Sequence, residues 1–299
     1  MSYKPSKTAI LIPVYNKLSY TSNCLKSLHL NIHDAGLSRF FETIVIDDGS
    51  QDGTSEFIKS EFPTVHVLKG DGNLWWSGGI NMGALYARDH LKADFLLLWN
   101  NDIGTPENYF QLIAERAGNL KKDEIVGSKI YMKDGLTVWS MGGIFKPGTG
   151  TIWMTGYGKR DTPEYKKPQL AQWIPGMGTL FPISIIDRIG LWDQENYPQY
   201  HGDLEYTYRA YLAGYSLIID PELHIINDTE NSSLGHEGKF KKLINLFVDK
   251  RSLYNYKVNT SFLKKYGKGP LKYSCLLKNY FILVLSYSKF VLLRKGKNT

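Results

Sequence analysis

Three short polar segments in this 299-residue chain carry side chains able to do chemistry on a small molecule. The first pairs Pro13-Val14-Tyr15-Asn16 with Asp47-Asp48-Gly49-Ser50. A carboxylate there can accept the imide N–H of a uracil or thymine, or a ribose hydroxyl, while the tyrosine ring offers a stacking face. A plainer role for Asp48 or Ser50 is to cap the helix that follows. The second segment, Asn100-Asn101-Asp102, ends on an acid that can ligate Mg²⁺ or Mn²⁺, with diphosphate oxygens and water in the remaining positions. A turn built on Asx side chains is its plain alternative. In the third, His201-Gly202-Asp203-Leu204-Glu205, Asp203 can remove a proton from an acceptor hydroxyl if it lies within hydrogen-bond reach. The same residue also suits a helix N-cap, with Glu205 paired to Arg209 four positions on.

Such segments need strands to hold them, and the sequence supplies these in order. Thr8 to Val14 is apolar and β-branched and is interrupted by a proline, as a strand buried on both faces reads. Leu18, Leu25, Leu28 and Ile32 follow at near-helical spacing. Thr43 to Ile46 and Val65 to Leu68 read as further strands, with a helix around Thr54 to Ser60 between them. A glycine-rich stretch, KGDGNLWWSGG, opens a helix that runs to about Leu91, and Phe95 to Trp99 is a fourth strand. The order βαβαβαβ specifies a parallel sheet, and ligands of such sheets bind beyond the carboxyl ends of the strands, where the first two polar segments fall. Alternating apolar residues and glycines between Ile125 and Thr155 predict added hairpins, and a helix is expected over Leu204 to Ala213. Of the adjacent Trp75 and Trp76, one belongs in a core and the other can lie against the apolar face of a sugar.

Composition excludes little. Hydrophobic residues make up 42% and charged residues 22%, the balance of a chain that folds. The formal charge of +7 suits an anionic partner, be it nucleic acid, a headgroup layer or a nucleotide diphosphate, but nucleic-acid binding leaves the acids at the strand ends unexplained. Cys24 and Cys275 stand far apart and in no metal-binding spacing, which fits a reducing compartment. The apolar run near the N-terminus is too short for a signal-peptide core, so cytoplasmic synthesis without export is expected. From Lys239 onward basic helices are expected. The stretch Leu276 to Leu293 is long and apolar but contains Lys278 and Lys289, which argues against a span and for a helix lying in a membrane interface; an oligomer contact or packing on the domain is the plain alternative.

PVYN, DDGS, NND and GDLEYTYR, in this order on a βαβ chain, resemble the inverting family 2 glycosyltransferases of GT-A fold over roughly residues 7 to 235. The stretch from Gly72 to Gly83 is similar to the bacterial rhamnosyltransferase and galactofuranosyltransferase branch. The resemblance implies a mostly parallel central sheet flanked by helices over 1–235, with a basic amphipathic helical region over 236–299. It implies that Pro13, Tyr15, Asn16, Asp48, Asn73, Trp76, Gly79, Asn81 and Asn101 surround the nucleotide sugar. Asp102 would hold the metal, with His224 and His236 as further candidates because Asn227 stands where the family usually has a histidine. Asp203 would be the catalytic base, with Trp173, Gly176, Met177 and Glu205 towards the acceptor. The implied activity is transfer of rhamnose from dTDP-rhamnose to a saccharide or lipid-linked saccharide in O-antigen, capsule or cell-wall synthesis, at the inner face of the plasma membrane, by a chain that can form homo-oligomers. UDP-galactofuranose or another UDP-sugar is the alternative donor. A nucleotidylyltransferase would need a glycine-rich phosphate loop that PVYNKLSYTSN lacks, and a non-catalytic saccharide-binding subunit would have no use for Asp102 and Asp203.

Overall fold

The computed structural model describes residues 6–228 and 240–295. Along the first part run β1 (Thr8–Val14), α1 (Leu18–Asp34), β2 (Phe41–Asp47), α2 (Thr54–Glu61), β3 (His66–Lys69), α3 (Trp75–Asp89), β4 (Phe95–Leu98), β5 (Ile103–Gly104) and α4 (Tyr109–Asn119). Then follow β6 (Glu124–Tyr131), β7 (Thr137–Ser140), β8 (Gly143–Lys146), β9 (Thr151–Met154), β10 (Lys159–Arg160), β11 (Gln169–Ala171), β12 (Thr179–Pro182), α5 (Ile185–Ile189), α6 (Gly202–Leu212) and β13 (Ser216–Asn227). The C-terminal part holds α7 (Phe240–Val248), α8 (Tyr256–Tyr266) and α9 (Ser274–Lys295).

Strands β3, β2, β1 and β4 lie side by side and parallel, the arrangement expected from the βαβ order. Alternation explains why β1 is apolar throughout. Ile10 and Ile12 point into a core shared with Leu25, Leu28, Ile58 and Ile113, whereas Ala9 and Leu11 point to the opposite core beneath Ile80, Ala84 and Ala87 of α3. Helix α3 can lie this close because it presents glycines: a Cβ added at Gly79 would sit 3.2 Å from Pro13 Cβ, and one at Gly83 would sit 2.8 Å from Ile46 Cδ1.

The sheet departs from all-parallel beyond β4. Strand β12 inserts antiparallel between β4 and β6, and β13 runs parallel to β6. The register of β13 shifts between Asp220 and His224, around Pro221, as a strand proline demands. Its far end then pairs Asn227 with Ile103 of β5, residues more than 120 positions apart in the chain. Of the expected hairpins, β6–β7 joins the main sheet, whereas β8–β9 forms a two-stranded sheet of its own. Helix α8 is docked rather than trailing: Val258, Phe262 and Leu263 are buried in one cluster with Phe145, Tyr197, Leu204 and Tyr208. Each such buried side chain contributes roughly 1.5–3 kcal/mol. The boundary expected between residues 235 and 236 lies outside the described residues. Among those described, no helix is long and apolar enough to cross a membrane.

Candidate active site

The carboxyl ends of β1 and β2, the loop before α3 and the turn after α7 enclose a cavity of about 860 Å³, within the range of a small-molecule site. Pro13, Tyr15, Asp48 and Trp76 line it, and so do Lys17, Gly72, Trp75, Gln199, Tyr200, Lys250 and Arg251. Tyr15 is 59% exposed, leaving its ring free as a stacking face.

The two acids of DDGS divide their work. Asp47 is buried and accepts hydrogen bonds from Ser50 N (2.8 Å) and the Ser55 hydroxyl, which hold its own loop. Asp48 reaches across to the next βα connection and accepts from Gly72 N at 2.9 Å, Leu74 N at 3.1 Å and Trp75 N at 2.9 Å. It therefore caps α3, not α2, and satisfies amides that the helix start would otherwise leave orphaned. A carboxylate has about four acceptor positions, so roughly one remains for a ligand N–H. Trp75 is held at φ +57°, unusual for a bulky residue, and Asn16 and Lys17 also adopt positive φ beside the cavity. Asn16 stitches the first loop to the second, donating from its backbone to Ser50 Oγ at 2.7 Å and accepting from Gln51 N at 2.9 Å.

Asp203 and Trp76 meet at Gly176. The Asp203 carboxylate accepts from Gly176 N at 3.0 Å and from Leu204 N at 2.8 Å, and a Cβ on Gly176 would stand 2.6 Å from Trp76 Cζ2. Gly176 is thus the spacer that lets a cavity-lining indole lie against the loop carrying the acid. Burial pushes the Asp203 carboxyl up, and its backbone N–H donors pull it part of the way back. His201, at φ +64°, has its imidazole pushed down to about 4 by burial, so it is neutral at neutral pH and adds no charge beside Asp203.

Asp102 is half-buried at the start of β5, and desolvation raises its carboxyl, with Lys17 opposing and Asp228 reinforcing the rise. Asp228 N donates to Asp102 O at 3.4 Å, so the strand pairing of β13 with β5 brings a second acid to the first. Among the described residues no group of three or more His, Cys, Asp or Glu side chains is placed to hold a metal. Two neighbouring carboxylates still fit Mg²⁺ or Mn²⁺, which keep several positions for phosphate oxygens and water. Asn101 donates to Thr21 Oγ1 at 3.0 Å.

Several expected site residues make contacts that hold the fold together. Asn81 is buried and exchanges hydrogen bonds with Trp192 N and O at 2.9 Å, which ties α3 to the 192–194 segment. Gly79 packs on Pro13 beneath α3, as noted. Trp173 is buried in the cluster under α8, and Met177 packs against the core on the α1 side. Glu205 is fully buried and joins α6 to α8, accepting from Arg209 Nε and Lys265 Nζ, both at 3.0 Å, and from the Tyr266 hydroxyl at 2.6 Å. His224 lies three residues before Asn227, roughly 10 Å back along the strand, with its ring edge-on to Tyr131 rather than beside Asp102. Asn73 is exposed next to the cavity loop. His236 lies outside the described residues. Sequence reasoning missed Lys17, Tyr200, Asp228, Lys250 and Arg251. Lys17 adjoins PVYN and was within reach, whereas the last two arrive only through the docking of α8.

A model of glycosyl transferase family 2 matches residues 9–180. Among solved structures, the mannosyltransferase PcManGT from Pyrobaculum calidifontis in complex with GDP-Man and Mn²⁺ is similar with a TM-score of 0.58 at 13% identity, over 97% of this chain and 74% of that one. GalNAc-T7 with UDP, GalNAc and Mn²⁺ gives 0.56 at 15% identity, over 76% of this chain, which spans only 44% of that protein's length. S. aureus TarS 1–349 in complex with UDP gives 0.52 at 14% identity, over 87% and 71%. At such identities the likeness is one of fold.

Proposed function

This chain belongs to glycosyl transferase family 2, and on that premise we propose that it transfers rhamnose from dTDP-rhamnose, with inversion, to a saccharide or lipid-linked saccharide of a bacterial surface polysaccharide. One observation carries the reading: Gly176 is the shared neighbour of Asp203, whose carboxylate accepts from its N–H, and of the Trp76 indole, which lines the same cavity as Asp48 and Tyr15. Tyr15 offers its face to the base and Asp48 its remaining acceptor position to the pyrimidine imide. Trp76 presents an apolar face suited to the C–H surface of a deoxysugar. Asp203 takes the acceptor hydroxyl's proton as that oxygen attacks the anomeric carbon and the nucleoside diphosphate leaves; its raised carboxyl makes it a better base than an ordinary aspartate. Asp102 and Asp228 would hold a divalent cation, which supplies positive charge where the leaving diphosphate gathers negative charge. UDP-galactofuranose is the second candidate donor, since the base pocket described suits either pyrimidine.

A thermal-shift panel of dTDP-rhamnose, UDP-galactofuranose, UDP-glucose and GDP-mannose, each with Mn²⁺ and with EDTA, tests the donor. Metal-dependent stabilisation by dTDP-rhamnose that disappears in Asp102→Ala is the expected result. Stabilisation by UDP-galactofuranose alone replaces the sugar, and silence across the panel favours a non-catalytic binding subunit.

A further inference from the structure

The turn between α7 and α8 is built as a fixed frame at the edge of the cavity. Asn255, buried, accepts from Lys257 N at 3.0 Å and Val258 N at 3.1 Å, and its amide donates to Val248 O at 3.0 Å and Asp249 O at 3.1 Å. One side chain therefore caps α8 and closes the turn before it. Asp249 in turn accepts from Arg251 N at 2.8 Å and from the Arg251 guanidinium at 2.9 Å, which sets the direction of that side chain. The frame is anchored at a distance by Phe262 in its core cluster and by Lys265 and Tyr266 on Glu205.

The turn delivers positive charge. Lys250 lies over the ring of Trp75 with its ammonium 5.2 Å from the centroid, and Lys250, Arg251 and Lys17 all line the cavity. Neither Lys250 nor Lys17 takes part in a salt bridge among the described residues, while of the two acids that line the cavity Asp48 is already met by three backbone N–H groups and Asp249 is paired with Arg251. The surplus is the local end of a wider asymmetry: residues 250–299 contain twelve lysines and arginines and no aspartate or glutamate. With Asp249 set against Arg251, two cationic charges remain in surplus, for which a neutral sugar has no use, whereas a diphosphate carries two or three negative charges and accepts from guanidinium and ammonium groups alike.

We propose that Lys250 and Arg251 form a diphosphate-binding wall, so that the C-terminal segment adds its charges to Lys17, the cation that the N-terminal half brings to the cavity. This rests on the glycosyltransferase reading for the nature of the ligand. A diphosphate reaches such a cavity either in the nucleotide donor or in an acceptor carried on isoprenyl diphosphate, and the experiment separates the two. Full-length Lys250→Gln/Arg251→Gln is compared with wild type in calorimetric titrations of UDP, dTDP and uridine, and in KM for an isoprenyl-diphosphate-linked saccharide. Both side chains are exposed, so the melting temperature is expected to hold. A tenfold or greater loss of affinity for the nucleoside diphosphates, with uridine binding unchanged and with recovery in Lys250→Arg/Arg251→Lys, supports the wall on the donor side. An equal rise in KM for the lipid-linked acceptor with UDP and dTDP unaffected supports it on the acceptor side. Values within twofold of wild type in both arms overturn it. Wild-type protein that binds neither diphosphate overturns the glycosyltransferase reading itself, a distinct result.

Discussion

Asp48 and Asp203 show how much of a residue's role is set by backbone that sequence spacing cannot display. Both acids could be picked out from their motifs, and both turn out to accept backbone N–H groups, three for Asp48 and two for Asp203. That Asp48 caps α3 rather than α2 depends on the fold of the 70–75 loop around it. Gly176 is the clearest hidden requirement, since nothing local says that an indole must pass within van der Waals distance of its Cα. Gly176→Ala would place a methyl 2.6 Å from Trp76 Cζ2 and 2.9 Å from Cη2, contacts a rigid ring relieves only by moving. Overpacking of this kind costs about 1–3 kcal/mol, and the displaced ring is expected to lower kcat/KM at least tenfold. Melting curves and steady-state kinetics check both; unchanged kinetics would remove Trp76 and Gly176 from the site.

At the scale of elements, β1 to β4 and the helices between them could be read in the sequence because each is an uninterrupted apolar or periodic run. The antiparallel insertion of β12 could not, because TLFP carries no sign of which edge it joins, and neither could the pairing of β13 with β5 that delivers Asp228. Helix α8 is the other case. Its sequence is basic, yet it is fastened by Phe262 and by the Glu205 node. Glu205→Ala leaves Arg209 and Lys265 without their shared carboxylate. Breaking a buried pair costs about 3–5 kcal/mol, with the lower end expected here because both cations keep contact with water. A fall in melting temperature with faster amide exchange across residues 256–266 is predicted; unchanged exchange there would show that packing alone holds α8.

The whole molecule is electrically lopsided in a way the total of +7 conceals. Residues 1–249 carry 29 acids against 24 lysines and arginines, so all of the positive excess belongs to the last fifty residues. Leu277, Phe281, Ile282 and Leu285 of α9 are exposed in this same region. Apolar and basic groups together suit an anionic bilayer surface, each lysine or arginine near it being worth about 1 kcal/mol. Co-sedimentation with phosphatidylglycerol vesicles at low salt, diminished as salt screens the charges, is the predicted behaviour, and equal binding to neutral vesicles would contradict it. The central claim is that sugar transfer occurs at Asp203, next to the Gly176 that the cavity-lining Trp76 packs on. The direct test is product formation by wild type and Asp203→Asn, measured across pH with donor binding recorded in parallel. Wild-type activity should fall as acid protonates Asp203, on a limb higher than an ordinary aspartate would give because burial raises this carboxyl. Asp203→Asn should bind the donor normally and make no product. A variant that retains wild-type transfer rates would place the chemistry elsewhere.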